Sequence, residues 1–275
     1  RWAMDWPDGT PKRLTKMEIG EHQPAWSPDG KTIAYATWSM DGGHIYKVSA
    51  NGGTPTKITQ TPAYYRNPVW SPNGQRIVMV RSGAQQFLEE VGGPFSGGPG
   101  AELVWISANG GPVTRIAPTE GRGNPHFRAG ENDRIYFYSG SDGLLSTRWD
   151  GTDSKSHVKV TGGKMPGASQ PMRASQVTMA PVGDQALAQV VNDLYVVTVP
   201  YVGGDTPTIS VANPDNAAFP ARKLTTIGGQ FPAWSADGRK IHWSIGGCGY
   251  LEKSRIGQHA SCRCRQQQIG RIEKR

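Results

Sequence analysis

The chain has 275 residues, of which 36 are glycine and 21 proline, and a formal net charge of +8. So many turn-formers, with no long stretch of helical periodicity, exclude a helical bundle. No apolar run is long enough for a helical membrane span, and no signal peptide opens at Arg1. Residues 247–275 hold seven of the 30 Lys and Arg but two of the 22 Asp and Glu, so most of the basic excess sits in a tail. The high pI is therefore no argument for nucleic acid as a partner. Cys248, Cys262 and Cys264 are also confined to that tail. A body without cysteine fits either redox compartment.

Residues 1–15 read as strand, Asp-Gly turn, strand, and Trp2 through Thr15 match Tyr46 through Thr59 position for position. They predict the outer half of a four-stranded unit, so Arg1 is expected to be an artificial or truncated start. The first whole unit, 18–59, opens with Gln23-Pro24-Ala25-Trp26-Ser27-Pro28-Asp29-Gly30-Lys31-Thr32-Ile33-Ala34-Tyr35. Here a strand ends at Trp-Ser, Pro sets φ for the first central turn position, and Gly takes the left-handed one. The strand that follows alternates, with Ile33 and Tyr35 on one face and Thr32 and Ala34 on the other. A second hairpin, His44 to Thr59, turns at Asn51-Gly52-Gly53.

The second unit, 64–117, repeats both hairpins around Trp70-Ser71-Pro72-Asn73-Gly74 and Asn109-Gly110-Gly111, with a Gly-rich insertion at 82–101 that is expected to be mobile. The third runs from about 123 to 161, with Asn124-Pro125-His126-Phe127 in place of Asn-Pro-Val-Trp. The fourth, about 174–225, is more diverged and carries a long polar excursion over 200–221. A fifth begins at Gly229 and supplies two strands around Trp234-Ser235-Ala236-Asp237-Gly238, ending near Ser244. Trp26 and Trp70 are about 44 residues apart, the period of a four-stranded propeller blade. The predicted fold is all-β: a propeller of four-stranded antiparallel blades, about four whole plus two half-blades, from a parent of six or seven. Residues 1–246 form the propeller and 247–275 an irregular basic tail, read as a shifted frame or as a flexible extension. The two half-blades could pair, Thr225–Ser244 with Trp2–Thr15, and close a ring.

The Pro-x-Trp-Ser-Pro-Asp-Gly unit, followed by Ile-Tyr-x-Val-x-x-x-Gly-Gly, resembles the WD40-like repeat of TolB-type propellers over residues 1–244. Residues 63–72, 103–106, 148–153 and 228–235 are similar to the propeller of bacterial amidohydrolase-family proteins. That resemblance implies a metal-dependent catalytic barrel after His242-Trp243-Ser244, where this sequence departs into its tail. It implies a periplasmic or secreted location. Any divalent metal would belong to the missing domain, so no cofactor is expected in this chain.

The residues themselves offer no catalytic motif. The six histidines, His22, His44, His126, His157, His242 and His259, form neither His-x-His nor His-Glu-x-x-His. No serine has glycine at both flanks of a nucleophile elbow, and no phosphate-binding glycine loop follows a strand. Cys262-x-Cys264 with His259 is a thin metal motif. The Gly-Gly pairs are accounted for by hairpins. His22, Tyr64, Tyr65, Arg66, Arg81 and Arg122 fall in or beside the loops that gather at one mouth of a propeller channel, either as solvated loop residues or as a ligand or partner surface. Trp26, Trp70 and Trp234 are expected in the core between blades. Three functions stay open: the non-catalytic propeller of an amidohydrolase whose partner is a C-terminal catalytic domain, a stand-alone TolB-like module binding a protein at the cell envelope, and the propeller of a serine peptidase.

Overall fold

The computed structural model describes residues 2–3, 9–83, 100–119, 122–245, 248–253 and 261–263. It is a β-propeller whose sheets follow one another in chain order. The outer half-blade pairs β1 (Trp2–Ala3) with β2 (Lys12–Arg13). The first blade is β3 (Gly20–Trp26), β4 (Thr32–Trp38), β5 (Ile45–Ser49) and β6 (Thr56–Lys57). The second is β7 (Tyr64–Trp70), β8 (Arg76–Ser82), β9 (Glu102–Ser107) and β10 (Thr114–Pro118). The third is β11 (Arg122–His126), β12 (Arg134–Ser139), β13 (Gly143–Arg148) and β14 (Lys155–Thr161). The fourth blade begins with β15 (Gln176–Met179), β16 (Gln185–Val190) and β17 (Asp193–Thr198).

The polar excursion after β17 is not a plain loop. Its strand β18 (Thr208–Ser210) reaches back and pairs in parallel with β14, giving the third blade a fifth strand. The chain then passes a 3₁₀ turn at Pro214–Asn216 and closes the fourth blade with β19 (Ala221–Lys223). The last sheet is β20 (Gln230–Trp234), β21 (Lys240–Ile245), β22 (Cys248–Lys253) and β23 (Ser261–Arg263). The expected half-blade therefore gains two strands from residues assigned to an irregular tail. The register runs from Lys240↔Lys253 to Ile245↔Cys248. With the second edge of β21 taken by β22, and β2 paired to β1, the closure of Thr225–Ser244 on Trp2–Thr15 does not form. Most of the Gly-rich insertion, 84–99, lies outside the described residues, as do His259 and Cys264.

The first hairpin of each repeat folds as its residues dictate. Gly30, Gly74 and Gly238 have φ of 69°, 69° and 67°. The Ser27, Ser71 and Ser235 hydroxyls donate to Asp29, Asn73 and Asp237, and accept the N–H of Thr32, Arg76 and Lys240. Both faces of each blade are apolar because each faces a neighbour. Ala34, Ala36 and Ile45 meet Tyr65, Ile77 and Met79 of the second blade, while Ile33, Tyr35 and Val48 meet Leu14 of the half-blade. Val78 and Leu103 meet Ile135, Phe137 and Leu145; Leu187, Leu194 and Val196 meet Ile241 and Trp243. Each fully buried aliphatic side chain contributes roughly 1.5–3 kcal/mol.

The tryptophans obey the blade order. Trp70 Nε1 donates to the Ala25 carbonyl of the first blade at 3.0 Å, and Trp234 Nε1 to the Thr178 carbonyl of the fourth at 3.1 Å. Trp26 departs from the expectation: it is 54% exposed, because the half-blade before it covers only the outer part of the sheet. Replacing Trp70 by Phe should lower the unfolding free energy by about 1–2 kcal/mol, from the lost bond and the cavity. Trp26→Phe should change it by less than about 0.5 kcal/mol. Urea unfolding of the two variants checks this; equal losses would show that the indole bond contributes nothing.

Candidate functional site

The fourth-to-first and second-to-third connections of every blade lie at one end of the channel. The starts of β3, β7 and β11 and the end of β8 reach that same mouth. There the residues singled out from sequence come together, though not as a row of loops. Tyr64, Tyr65 and Arg66 lie in β7 and are buried, at 4%, 0% and 1% exposure. Tyr64 donates its hydroxyl to the Ser39 carbonyl and Tyr65 to that of Thr61, both at 2.9 Å. Burial pushes the Tyr65 phenol up. His22, in β3, stacks on Trp38 with ring centroids 4.0 Å apart, and the Trp38 indole donates to the Tyr65 carbonyl. Arg81 pairs with Glu102 at 2.6 Å, and Arg115 closes on the same carboxylate at 2.7 Å; these bonds hold the Glu102 carboxyl below its ordinary range. Arg122 opens β11. Tyr64, Tyr65, Arg66, His22 and Arg81 thus pack and pin the mouth, with His22 and Arg81 half-buried.

The mouth also presents apolar side chains outward, beside polar ones such as Asp41 and Lys164. Met40, Met165, Val191, Ile227 and Phe231 are 83%, 58%, 56%, 75% and 75% exposed. The first four sit in the connections β4–β5, β14–β15, β16–β17 and β19–β20, and Phe231 in β20.

Below the mouth the inner strands are joined by amides. Gln23, Asn67, Asn124 and Phe231 each precede a proline and each has φ near +50°. Each sits in a register shift against the second strand of its blade. The bulge turns the Gln23, Asn67 and Asn124 side chains toward neighbouring blades. The Asn67 N–H donates to Gln23 Oε1 at 2.7 Å. Asn67 Nδ2 then donates to Asn124 Oδ1, Asn124 Nδ2 to Gln176 Oε1, Gln176 Nε2 to Gln189 Oε1, and Gln189 Nε2 to the Gly229 carbonyl. This belt links five blades. Gln23 Nε2, at its start, is buried and has no hydrogen-bond partner among the described residues. The recurring x-Pro of the inner strands is its trace in the sequence; which side chains would meet is a long-range property that no local pattern carries.

Two groups with catalytic residue types prove structural. Ser146 Oγ meets His157 Nε2 at 2.7 Å, but Ser146 is 0% exposed and also accepts from Arg134 Nε. His126 accepts the Met179 N–H on Nε2 at 2.9 Å while its Nδ1 meets the Asn124 carbonyl at 2.8 Å. Among the described residues no three His, Cys, Asp or Glu side chains converge as a metal site, and no helix is long and apolar enough to cross a membrane.

This geometry can be set beside known proteins. Residues 2–91 match the model of the TolB beta propeller domain. Over those residues the chain is similar to TolB propellers, and the whole chain has the β-propeller fold. Its fold is similar to TolB from Acinetobacter baumannii, with TM-score 0.61 and 16% identity over 92% of this chain and 56% of that one. It is also similar to a putative TolB from Agrobacterium tumefaciens, with TM-score 0.52 and 17% identity over 82% and 83%. An oligogalacturonate lyase in complex with manganese matches with TM-score 0.57 and 14% identity over 92% and 67%. The chain spans a little over half the length of the Acinetobacter protein. No curated protein sequence matches it.

Proposed function

We propose that this TolB-like propeller is a binding module that docks a protein over its channel mouth. The observation that carries the reading is the set of apolar side chains, Met40, Met165, Val191, Ile227 and Phe231, exposed together at that end. The buried Tyr64, Tyr65 and Arg66 make the floor beneath them rigid. A rigid platform loses little entropy on docking, so exposed apolar area there converts efficiently into affinity. The catalytic domain implied by the amidohydrolase resemblance is one protein that such a mouth could seat. A partner at the cell envelope is the other, and the TolB likeness supports it, along with a periplasmic place of work.

A photo-crosslinking residue at Phe231 or Ile227 tests this in extracts of the source cells. A defined protein adduct is expected from both positions and not from Val182, which is equally accessible at 57% but on the opposite face. Adducts of the same yield from Val182, or none from the mouth, would overturn the proposal.

A further inference from the structure

Two arginines occupy the same place in successive blades, and one of them lacks what the other has. Arg76 faces Ser107 across β8 and β9; Arg134 faces Arg148 across β12 and β13. The following turns have equal length, from Trp105↔Thr114 in one blade and from Ser146↔Lys155 in the other. Arg134 is saturated. Its Nη1 donates to Asp153 Oδ2 at 2.7 Å, its Nη2 to the Asp153 carbonyl at 2.5 Å, and its Nε to Ser146 Oγ at 3.1 Å. In the second blade, Pro112 stands where Asp153 does and Trp105 where Ser146 does.

Arg76 therefore has no internal carboxylate. Among the described residues its guanidinium makes no ion pair and no hydrogen bond. It is instead held in a corner of two indoles, 4.5 Å from the Trp105 ring centroid and 4.7 Å from that of Trp149, with the two rings at 83°. Phe127 stacks on Trp149 and fixes the corner. Such a clamp orients the planar fork but leaves all its N–H groups unused. It opens on a hollow of about 440 Å³ on the hairpin face, away from the mouth, lined also by Gln75, Ser107 and Asn109. This hollow adjoins another of about 550 Å³ through Gly74, Ala108 and Asn109, where the Ala108 carbonyl holds Lys47 Nζ at 2.8 Å.

We propose that the Arg76 hollow binds a carboxylated sugar, a uronate, through a bidentate contact from Arg76 to its carboxylate. Asp153 on Arg134 shows in the same chain that this position of the blade accepts a carboxylate. A bidentate arginine–carboxylate pair is the strong, geometrically specific form of such a contact. The other walls include the amides of Gln75 and Asn109, the Ser107 hydroxyl and the Trp105 indole, which suit the hydroxyl groups and the faces of a sugar ring. The cation Lys47 in the adjoining hollow favours an oligosaccharide with more than one acid group.

The test titrates the intact chain with glucuronate oligosaccharides of two to six units, read by tryptophan fluorescence and calorimetry. Trp105 and Trp149 flank the anchor, so a saturable fluorescence change is expected, with none from neutral glucose oligomers of equal length. Arg76→Gln should weaken binding at least about tenfold. Because that substitution also empties the indole corner, Asn109→Asp is the companion variant. It adds a repelling charge at the shared wall of an exposed turn, and should weaken binding several-fold with the unfolding midpoint unchanged. Absence of binding at millimolar oligosaccharide, or wild-type affinity in both variants, overturns the proposal. An oligoglutamate peptide binding as tightly as the oligosaccharide overturns the sugar assignment.

Discussion

Gly43→Ala is expected to cost about 3 kcal/mol or more of folding free energy, the largest loss from a single methyl group added at any described glycine. A Cβ at this position would lie 1.5 Å from the Thr37 carbonyl oxygen and 2.5 Å from its carbon, so the backbone of the β4–β5 connection must move. Moving it breaks two further bonds: the Gly43 N–H donates to the Ala63 carbonyl at 2.9 Å, and the Ala63 N–H to that of Gly43 at 3.0 Å. Those bonds join the first blade to the connection entering the second. The proper control is Gly30→Ala, where φ is +69° but nothing lies within 4 Å. It should cost about 1 kcal/mol, the ordinary penalty of a left-handed alanine. Equal urea midpoints for the two variants would refute the account.

The second large effect is a loss of stability in acid that centres on His126. Burial pushes this imidazole down to about 4, with the neighbouring His157 acting in the same direction; His157 is itself pushed down to about 4 by burial and by Arg134 and Arg128. The hydrogen bonds agree, since Nε2 accepts from the Met179 N–H and can do so only while neutral. The folded state keeps His126 unprotonated, whereas the unfolded chain protonates it near pH 6.5. The stabilisation is complete above pH 6.5 and is lost as pH falls from 6.5 to about 4, where the folded state also takes up the proton. At about 1.4 kcal/mol per pH unit, His126 alone accounts for about 3 kcal/mol across that window. His126→Val, which installs the residue type of Val69 at the matching place, should flatten the decline while lowering stability at pH 8, because the Met179 N–H loses its acceptor. A wild-type unfolding midpoint that stays level from pH 8 to 4.5 would rule this out.

His126 also shows why the sequence could be read so far and no further. The hairpins were legible because their cause is local: Pro, Asp and Gly at fixed offsets impose the turn, and the Ser27, Ser71 and Ser235 bonds complete it. The two-faced pattern of Ile33, Ala34 and Tyr35 was legible because strand alternation is local too. The fourth blade has Met179 where others have Trp70 or Trp234, so its seam lacks an indole donor, and His126 supplies the bond from the opposite side. Nothing in the local pattern assigns that task to a histidine one blade earlier. Tyr64, Tyr65 and Arg66 looked like loop residues because three large polar or aromatic side chains in a row lack alternation; they are strand because neighbouring blades bury both faces of β7. The amide belt depends on contacts such as Asn124 to Gln176, 52 residues apart. Strand β18 was hidden for a similar reason: Thr208, Ile209 and Ser210 gain their pairing from β14, not from each other.

That borrowed strand has a consequence for how the molecule comes apart. In an array of stacked repeats, each unit touches its neighbours only, and melting can proceed one unit at a time like a row of tiles lifting. The first and second blades fit that description. The third and fourth do not, because β18 belongs by connectivity to one and by hydrogen bonding to the other. Neither can leave without tearing a main-chain ladder out of its companion. The array therefore behaves as separable tiles at its beginning and as a riveted pair near its middle, with the histidine seam enclosed inside the rivet.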